Sequence, residues 1–387
     1  MNDSFTIDGK RLTTIPIDHN QFQIKSTPKS YHVTLDENKN PFDVLNTYLS
    51  ENKNSVLLID ENILQLYKNF LKIDETRIFS AKATENFKTI DGMFAVLNFL
   101  SERDFTKKEK LIVVGGGIIQ EVGGFVSACY KRGIQWVYFP TTLLSMCDSC
   151  IGGKVSLNYK NAKNQIGLFH PPDEVIINPI FLQTLTDEAL RSGMGEILKS
   201  VIIGGPAFLS LYQKYVVNGK IRAFYDYKTL ILNALSIKCA VIQEDEFESH
   251  HRKSLNYGHT LGHAIESLSD YTIPHGLAVL MGMMLSNELS CRHSFLTVAN
   301  KEILNGLCLD LLDNHVIEIM KHISIENILS LLKKDKKIEG KFIHFVMIKE
   351  IGDTFFMKIL LTKEFQNEIE SILRSDNFFG ILNGEPA

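Results

Sequence analysis

The sequence predicts an α/β domain built on a parallel sheet, followed by a mostly helical domain. Three observations carry this. Continuous apolar runs of buried-strand type, SVLLID (55–60), LIVVGGG (111–117) and WVYFPTTLL (136–144), alternate with helical patterns in the first half. After EVIIN (174–178) the strand pattern stops and helical segments follow one another. At 387 residues the chain is too long for one ordinary core, so two domains are expected.

Taken in order, residues 1–30 are polar and lack a clear period, which predicts a loosely packed N-terminal extension. YHVTL (31–35) reads as a short strand and Pro41–Leu49 as a helix. SVLLID then forms a buried strand, Asn62–Leu71 a helix, RIFSA a strand and Thr89–Ser101 a helix. LIVVGGG is the next buried strand, with the helix Ile118–Tyr130 after it. WVYFPTTLL ends in paired threonines, and EVIIN closes the sheet. LTDEALRSGMGEILKSVII starts a helix with Thr186 as its cap and acidic residues in its first turn. Tyr227–Glu244, 277–290, 297–309 and 325–334 read as further helices. FIHFVMI and TFFMKILL alternate around Gly352-Asp353, the signal of a hairpin.

Composition narrows the function classes. Hydrophobic content of 44% and charged content of 22% are those of a soluble globular protein. A net charge of −4 gives no reason to expect nucleic acid or an anionic membrane surface. No run reaches transmembrane length, and MNDSFTIDGK is not a signal peptide. Six cysteines do not make a disulfide scaffold in a chain this long. Cys147 and Cys150 form a C-x-x-C with no second pair, read as two small residues in a tight loop, with redox work as the lesser option. Together these features predict a cytoplasmic protein.

Several stretches carry chemistry. In RKSLNYGHTLGHAIESLSDYTIPHG (252–276), His259 and His263 are one helical turn apart, and Pro274-His275-Gly276 breaks the helix and presents a third imidazole. Converging histidines suit a divalent cation, but an acidic ligand must come from elsewhere. A core helix with incidental histidines fits the spacing equally well. Glu196, set among Gly, Met and Ile, is the candidate carboxylate. Gly115-Gly116-Gly117 lies between a strand and a helix, where backbone N–H groups can approach a pyrophosphate; a plain tight turn is the alternative. It is not G-x-G-x-x-G, so a standard Rossmann site is not supported. Asp60, Glu85 and Lys88 follow strands and suit the same ligand, although each alone reads as a solvated charge. The hydrophilic stretch CDSCIGGKVSLNYKNAKNQIG bears Lys154 and Lys163-Asn164 and suits a phosphorylated ligand, or is a charged connecting loop.

At this point the chain resembles the 3-dehydroquinate synthases and their relatives among the sugar phosphate cyclases. GGGIIQEVGGF, YKRG, FPTTLLSMCDS, GGK, KNQIG, GMGEILK, LNYGHTLGHAIE and PHG occur in the family's order between about Ser55 and Leu361. The resemblance implies a Rossmann-like, NAD-binding α/β domain over 31–180 and a mostly α-helical, metal-binding domain over 181–387, with the active site in the cleft between them. It implies Glu196, His259 and His275 as ligands of one divalent metal, zinc or cobalt, with His263 beside it in proton transfer or phosphate binding. NAD contacts are implied for Asp60, Asn62, Glu85, Lys88 and Gly115, Gly116 and Gly117, and for Glu121, Thr141, Thr142, Lys154, Lys163, Phe181 and Thr184. Substrate contacts are implied for Asp148, Lys154, Asn164, Lys199, Lys238, Arg252, Asn256 and Lys336. Arg132, in YKRG, resembles an arginine that reaches a neighbouring subunit's phosphate site, which implies a homodimer.

The implied activity is that of a carbon–oxygen lyase on a sugar phosphate. NAD oxidises a ring alcohol, phosphate leaves by elimination, the hydride returns, and an intramolecular aldol reaction closes the carbocycle. The implied substrate is a 3-deoxy seven-carbon keto sugar acid phosphate, as in the shikimate pathway of aromatic amino acid biosynthesis. The chain departs from the family pattern at Glu121, where Asp is usual, at Val155, usually Thr, and at Leu277, where Glu commonly follows the last His-Gly. Those departures leave open a cyclase of the amino-dehydroquinate or 2-deoxy-scyllo-inosose type. The second histidine of GHTLGHA argues against a valiolone-type cyclase. A metal-dependent alcohol or glycerol dehydrogenase is disfavoured by Lys154, Lys163, Lys199, Lys238 and Arg252 together, and a catalytically dead scaffold by retention of all three implied ligands.

Overall fold

The computed structural model describes residues 3–17, 19–160, 162–332 and 342–375. The described chain divides into two compact units, one of Ile17–Thr186 and one of the residues up to Pro16 together with those from Asp187 onward. The N-terminal stretch therefore departs from the expected loose extension. Strands β1 (Ser4–Ile7) and β2 (Lys10–Thr13) form a hairpin across Asp8-Gly9, and Phe5, Ile7 and Leu12 are buried. Both turn residues have positive φ, +49° and +79°, the backbone of a two-residue primed turn. The hairpin burial outweighs the polar composition that suggested loose packing.

The α/β unit is organised on a seven-stranded sheet. Its strands are β3 (Gln21–Ile24), β4 (Tyr31–Leu35), β5 (Val56–Asp60), β6 (Ile78–Ala81), β7 (Lys110–Gly115), β8 (Gln135–Pro140) and, after two strands of a separate sheet, β11 (Glu174–Ile177). The spatial order is β3-β4-β11-β8-β7-β5-β6, parallel throughout except for β3, which runs antiparallel at one edge. Every residue of Val56–Asp60 and of Leu111–Gly115 is buried, as continuous apolar strands require. Helices Asp43–Glu51, Glu61–Tyr67, Ile90–Ser101 and Gly117–Cys129 fall where the sequence pattern placed them, within a few residues. The WVYFPTTLL strand is shorter than expected and ends at Pro140. The Thr142 hydroxyl accepts from the Ser145 N–H at 3.2 Å, which starts a helical turn over Ser145–Ser149 instead.

The polar stretch expected as a lysine-bearing loop is a two-stranded antiparallel hairpin, β9 (Lys154–Tyr159) and β10 (Ala162–Phe169). Val155 and Leu157 alternate inward between polar neighbours, a period-two signal that the hydrophilic composition hid. The pairing register shifts between Ala162 and Ile166, so a bulge falls on Lys163 and Asn164. Cys147 and Cys150 are buried free thiols.

In the other unit, helices Asp187–Gly204, Pro206–Tyr215 and Asp226–Glu244 precede helices His259–Leu268, His275–Arg292 and Val298–Leu309. A short strand pair, β12 (Val216–Val217) and β13 (Lys220–Ile221), joins the second and third of these. His275–Arg292 is buried almost all round and packs against Asp187–Gly204, His259–Leu268 and Val298–Leu309, the pattern of a central helix. Helix Ile325–Leu332 ends at the edge of the described residues, so the rest of the expected 325–334 helix lies outside them. The expected hairpin around Gly352-Asp353 is present as β14 (Phe342–Glu350) and β15 (Asp353–Leu360). Strand β1 adds to it in parallel, giving a four-stranded sheet β14-β15-β1-β2. No helix among the described residues is long and apolar enough to cross a membrane.

Candidate active site

Three helices bring Glu196, His259 and His275 together. Glu196 lies in mid-helix within Asp187–Gly204 and is fully buried; His259 and His275 each open a helix. One ligand atom from each lies within 4.8 Å of the others. The His275 Nε2 is 3.4 Å and the His259 Nε2 3.7 Å from Glu196 Oε1. The opposite ring nitrogens are held by other groups. The His259 Nδ1 faces the Tyr257 carbonyl at 3.2 Å, and the His275 Nδ1 faces a Glu266 carboxylate oxygen at 3.2 Å. That arrangement fixes both rings with Nε2 toward the carboxylate, as in metal sites whose ligands are oriented from behind. Two imidazoles and a buried carboxylate make a donor set suited to zinc or a similar cation.

Glycines set this geometry. A Cβ on Gly195 would lie 2.6 Å from the Gly276 carbonyl oxygen, and one on Gly276 would lie 1.8 Å from that of Ser192. The backbones carrying Glu196 and His275 therefore touch directly. Gly258, at φ +82°, and Gly282 do the same for the helices of His259 and His275, with a Cβ on Gly282 falling 1.8 Å from the Gly258 carbonyl. These contacts give GMGE, YGH and PHG a physical reason for their glycines.

Charge at the cluster is finely set. Burial opposes a proton on His275, but the Glu266 and Glu196 carboxylates outweigh it and push its pKa up to about 10. A proton there and a divalent cation answer the same need for positive charge between two acids. Lys199, buried one turn from Glu196, is ion-paired to it. His263 is exposed, its ring 5.3 Å from His259 and 5.8 Å from His275. Lys238 and Arg252 are buried on the neighbouring helix Asp226–Glu244 and segment His251–Asn256, both packed on Asp187–Gly204. Asn256 donates to the Glu248 carboxylate. Leu277 is fully buried, and the carboxylate beside His275 comes from Glu266. Lys336 lies outside the described residues.

The α/β unit gathers a second set. Gly115 closes β7, and its carbonyl accepts from the Thr141 N–H at 3.0 Å and the Tyr138 hydroxyl at 3.1 Å. A Cβ on Gly115 would meet Ile119 at 2.7 Å and one on Gly116 would meet Thr142 at 2.9 Å, so both are required by packing. A Cβ on Gly117 meets nothing within 4 Å, which leaves the first turn of helix Gly117–Cys129 open to close approach. Asp60 ends β5 and caps the next helix by accepting from the Asn62 N–H at 2.9 Å; burial raises its pKa.

Glu121 points from the same helix to Lys88, with which it is ion-paired. Lys88 Nζ also donates to Asn164 Oδ1 at 2.6 Å. The Ser156 hydroxyl lies 2.9 Å from Asn164 Oδ1 and 3.3 Å from Glu121. Asn158 donates to Glu85 at 2.7 Å, and Lys163 pairs with Glu85 at 2.8 Å. Burial raises the Glu121 pKa against the pull of Lys88. Phe181 is fully buried edge-to-face with Phe42 and Tyr67, and the exposed Thr184 hydroxyl donates to its carbonyl at 3.0 Å. Lys154 and Arg132 are exposed, Arg132 at φ +63°, and Asp148 is half-buried.

Sequence reasoning missed Glu266, Ser156 and Asn158. Glu266 stands three residues after His263 and seven after His259, on the same helical face, a spacing that pointed to it. Ser156 and Asn158 alternate with buried Val155 and Leu157, so they were readable only once the strand was recognised.

The fold is that of the sugar phosphate cyclases. A solved 2-deoxy-scyllo-inosose synthase complexed with carbaglucose-6-phosphate, NAD+ and Co2+ superposes with a TM-score of 0.77 at 20% identity, over 91% of this chain and 99% of that one. The 2-epi-5-epi-valiolone synthase ValA of Streptomyces hygroscopicus, with NAD+ and Zn2+ bound, gives 0.74 at 24% identity, over 91% and 98%. The family models for the 3-dehydroquinate synthase N-terminal and C-terminal regions match residues 78–192 and 193–338. A 3-dehydroquinate synthase of Streptococcus equi is 33% identical over 333 residues, 84% of this chain and 90% of its own. The chain belongs to the 3-dehydroquinate synthase family.

Proposed function

We propose that the chain is a 3-dehydroquinate synthase, converting a 3-deoxy seven-carbon keto sugar acid phosphate to 3-dehydroquinate and phosphate. The observation that carries the reading is the Glu196–His259–His275 cluster, set within a family match spanning residues 78–338. Glu196, His259 and His275 would hold a zinc or cobalt ion that would supply Lewis acidity toward the substrate oxygens, and NAD bound in the α/β unit would supply a reversible hydride acceptor.

The chain's own residues do the rest. The open first turn at Gly117 and the threonines after β8 seat the pyrophosphate of NAD, with Asp60, Glu85, Lys88 and Lys163 around it. Lys238 and Arg252 hold the substrate's anionic groups by charge-assisted hydrogen bonds. Lys199 shields the Glu196 charge, and Asn256 orients a ring hydroxyl. His263, exposed beside the cluster, moves a proton as the phosphate leaves. Positioning of this kind is worth up to roughly 7–11 kcal/mol of the barrier. The same reading makes the protein a cytoplasmic homodimer, with Arg132 reaching across to the partner subunit.

A second reading is favoured by Glu121 and Leu277, which depart from the family pattern: a cyclase of a hexose phosphate lacking a carboxylate. Phosphate release from the seven-carbon acid and from glucose 6-phosphate, with NAD and a divalent metal, separates the two. Buried cations built for two anions reject a substrate carrying one. Turnover of the acid and not the hexose is expected; preference for the hexose overturns the first reading.

A further inference from the structure

The β1–β2 hairpin precedes both matched family regions, yet its turn grips the segment that carries Arg252. The Asp8 carboxylate lies 3.0 Å from His250 Nε2, and the Lys10 ammonium pairs with Glu244. The His250 ring packs edge-to-face on Phe356 of β15 at 5.3 Å and on His251 at 4.5 Å, and His251 Nδ1 is 3.6 Å from Glu244. Glu244 and His250 bracket a short turn centred on Asp245. The Asp245 carboxylate accepts from the N–H groups of Ser249 at 2.9 Å, His250 at 2.7 Å and Arg252 at 3.0 Å, and from the Ser249 hydroxyl at 2.8 Å. Burial opposes its charge, but these donors prevail and hold its pKa down to about 2. The Arg252 guanidinium is buried and donates to the Glu246 carbonyl within the same turn. Behind it, the Ser236 hydroxyl, on the helix of Lys238, donates to the Ile15 carbonyl that follows the hairpin.

The polar pairs made from the hairpin turn are solvent-exposed, with side-chain exposures of 54% for His250 and 47% for Lys10. Pairs of that kind add little to stability. Two of them from one turn, clasping both ends of one segment, instead fix where that segment sits. We propose that the N-terminal hairpin is a positioning element for Arg252, with Asp8 and Lys10 as the positioning residues. They hold the 244–252 segment so that the buried guanidinium meets the substrate's anionic group without rearrangement. The proposal rests on the reading of Arg252 as a substrate-binding residue given above.

The test is steady-state phosphate release by the full chain loaded with NAD and zinc, with NAD affinity, metal content and thermal midpoint measured alongside. Asp8→Asn keeps the tolerance for positive φ, and Lys10→Met keeps the length of the side chain. In D8N/K10M, KM for the seven-carbon acid phosphate rises about three- to tenfold, while kcat, NAD affinity, metal content and thermal midpoint stay at parental values. His250→Ala gives part of that rise, and adding D8N to it changes nothing further, because the two act through one contact. An unchanged KM in D8N/K10M beside a raised KM in Arg252→Lys overturns the positioning role and leaves the Arg252 reading standing. An unchanged KM in Arg252→Lys removes that reading and the proposal with it. A fall in thermal midpoint and kcat together makes the hairpin structural only.

Discussion

The Glu196–His259–His275 cluster stands on three helices whose backbones touch through glycines, whereas the Lys88–Glu121–Asn164 network hangs on a bulged two-stranded hairpin. In the first, each side chain is set by its helix, and little can shift without a backbone collision. In the second, Lys88, Glu121, Ser156 and Asn164 hold one another through hydrogen bonds and the Lys88–Glu121 ion pair, with Asn164 at φ +54° in the bulge. Ligands to a cation tolerate small errors of position poorly, and close helix packing supplies that accuracy. A network of exchangeable hydrogen bonds can adjust as a cofactor arrives and leaves.

The contrast is broken most sharply at His275. In His275→Ala the fold persists, while bound zinc is lost and phosphate release falls by more than about a thousandfold, the several kcal/mol a metal contributes to the transition state. A variant that keeps stoichiometric metal sinks the ligand assignment. Gly276→Ala comes next: its Cβ falls on the Ser192 backbone, and overpacking costs about 1–3 kcal/mol. The thermal midpoint drops by roughly 2–4 °C for each of those, and metal affinity falls with it. An unshifted midpoint shows that the helices can part, which removes the glycine argument. Ser156→Ala has the smallest effect, since it removes one hydrogen-bonding hydroxyl at a partly exposed site. Calorimetry is expected to give an NAD affinity weaker by about two- to tenfold, at a thermal midpoint within about 1 °C of the parent. A large loss of stability would instead mark that network as rigid as the metal cluster.

The same contrast explains what was legible beforehand. Buried parallel strands such as Val56–Asp60 announce themselves as apolar runs, and the long helices by period and caps, so most of the fold could be read. The His259–His263 spacing and Pro274 marked the metal stretch and Glu196 stood out as an acid among Gly, Met and Ile, but that the three meet was implied only by the resemblance, because nothing local ties residues so far apart in sequence. The β9–β10 hairpin was missed because Lys154–Phe169 is hydrophilic enough to look like a loop. Ser4–Thr13 was missed despite Asp8-Gly9 between alternating Phe5, Ile7 and Leu12, a strong hairpin signal. Its place in the four-stranded sheet depends on β15, far along the chain, and no window of local sequence contains that partner.

The parallel pairing of β1 with β15 also bears on synthesis. The α/β unit, Ile17–Thr186, is contiguous, and all its strands have been made long before the ribosome reaches Asp353. Strand β1 precedes that unit in the chain and has its partner only after the chain has been extended through Leu360, a wait on the order of tens of seconds at ordinary elongation rates. During that interval Thr6 and Ile7 lack their strand partners Asp353 and Thr354. The edge of β1 that pairs with β15 thus stays open throughout that wait, whereas Lys10 and Arg11 lie on β2, the outer edge of the finished sheet, where their charge keeps it from pairing with other chains.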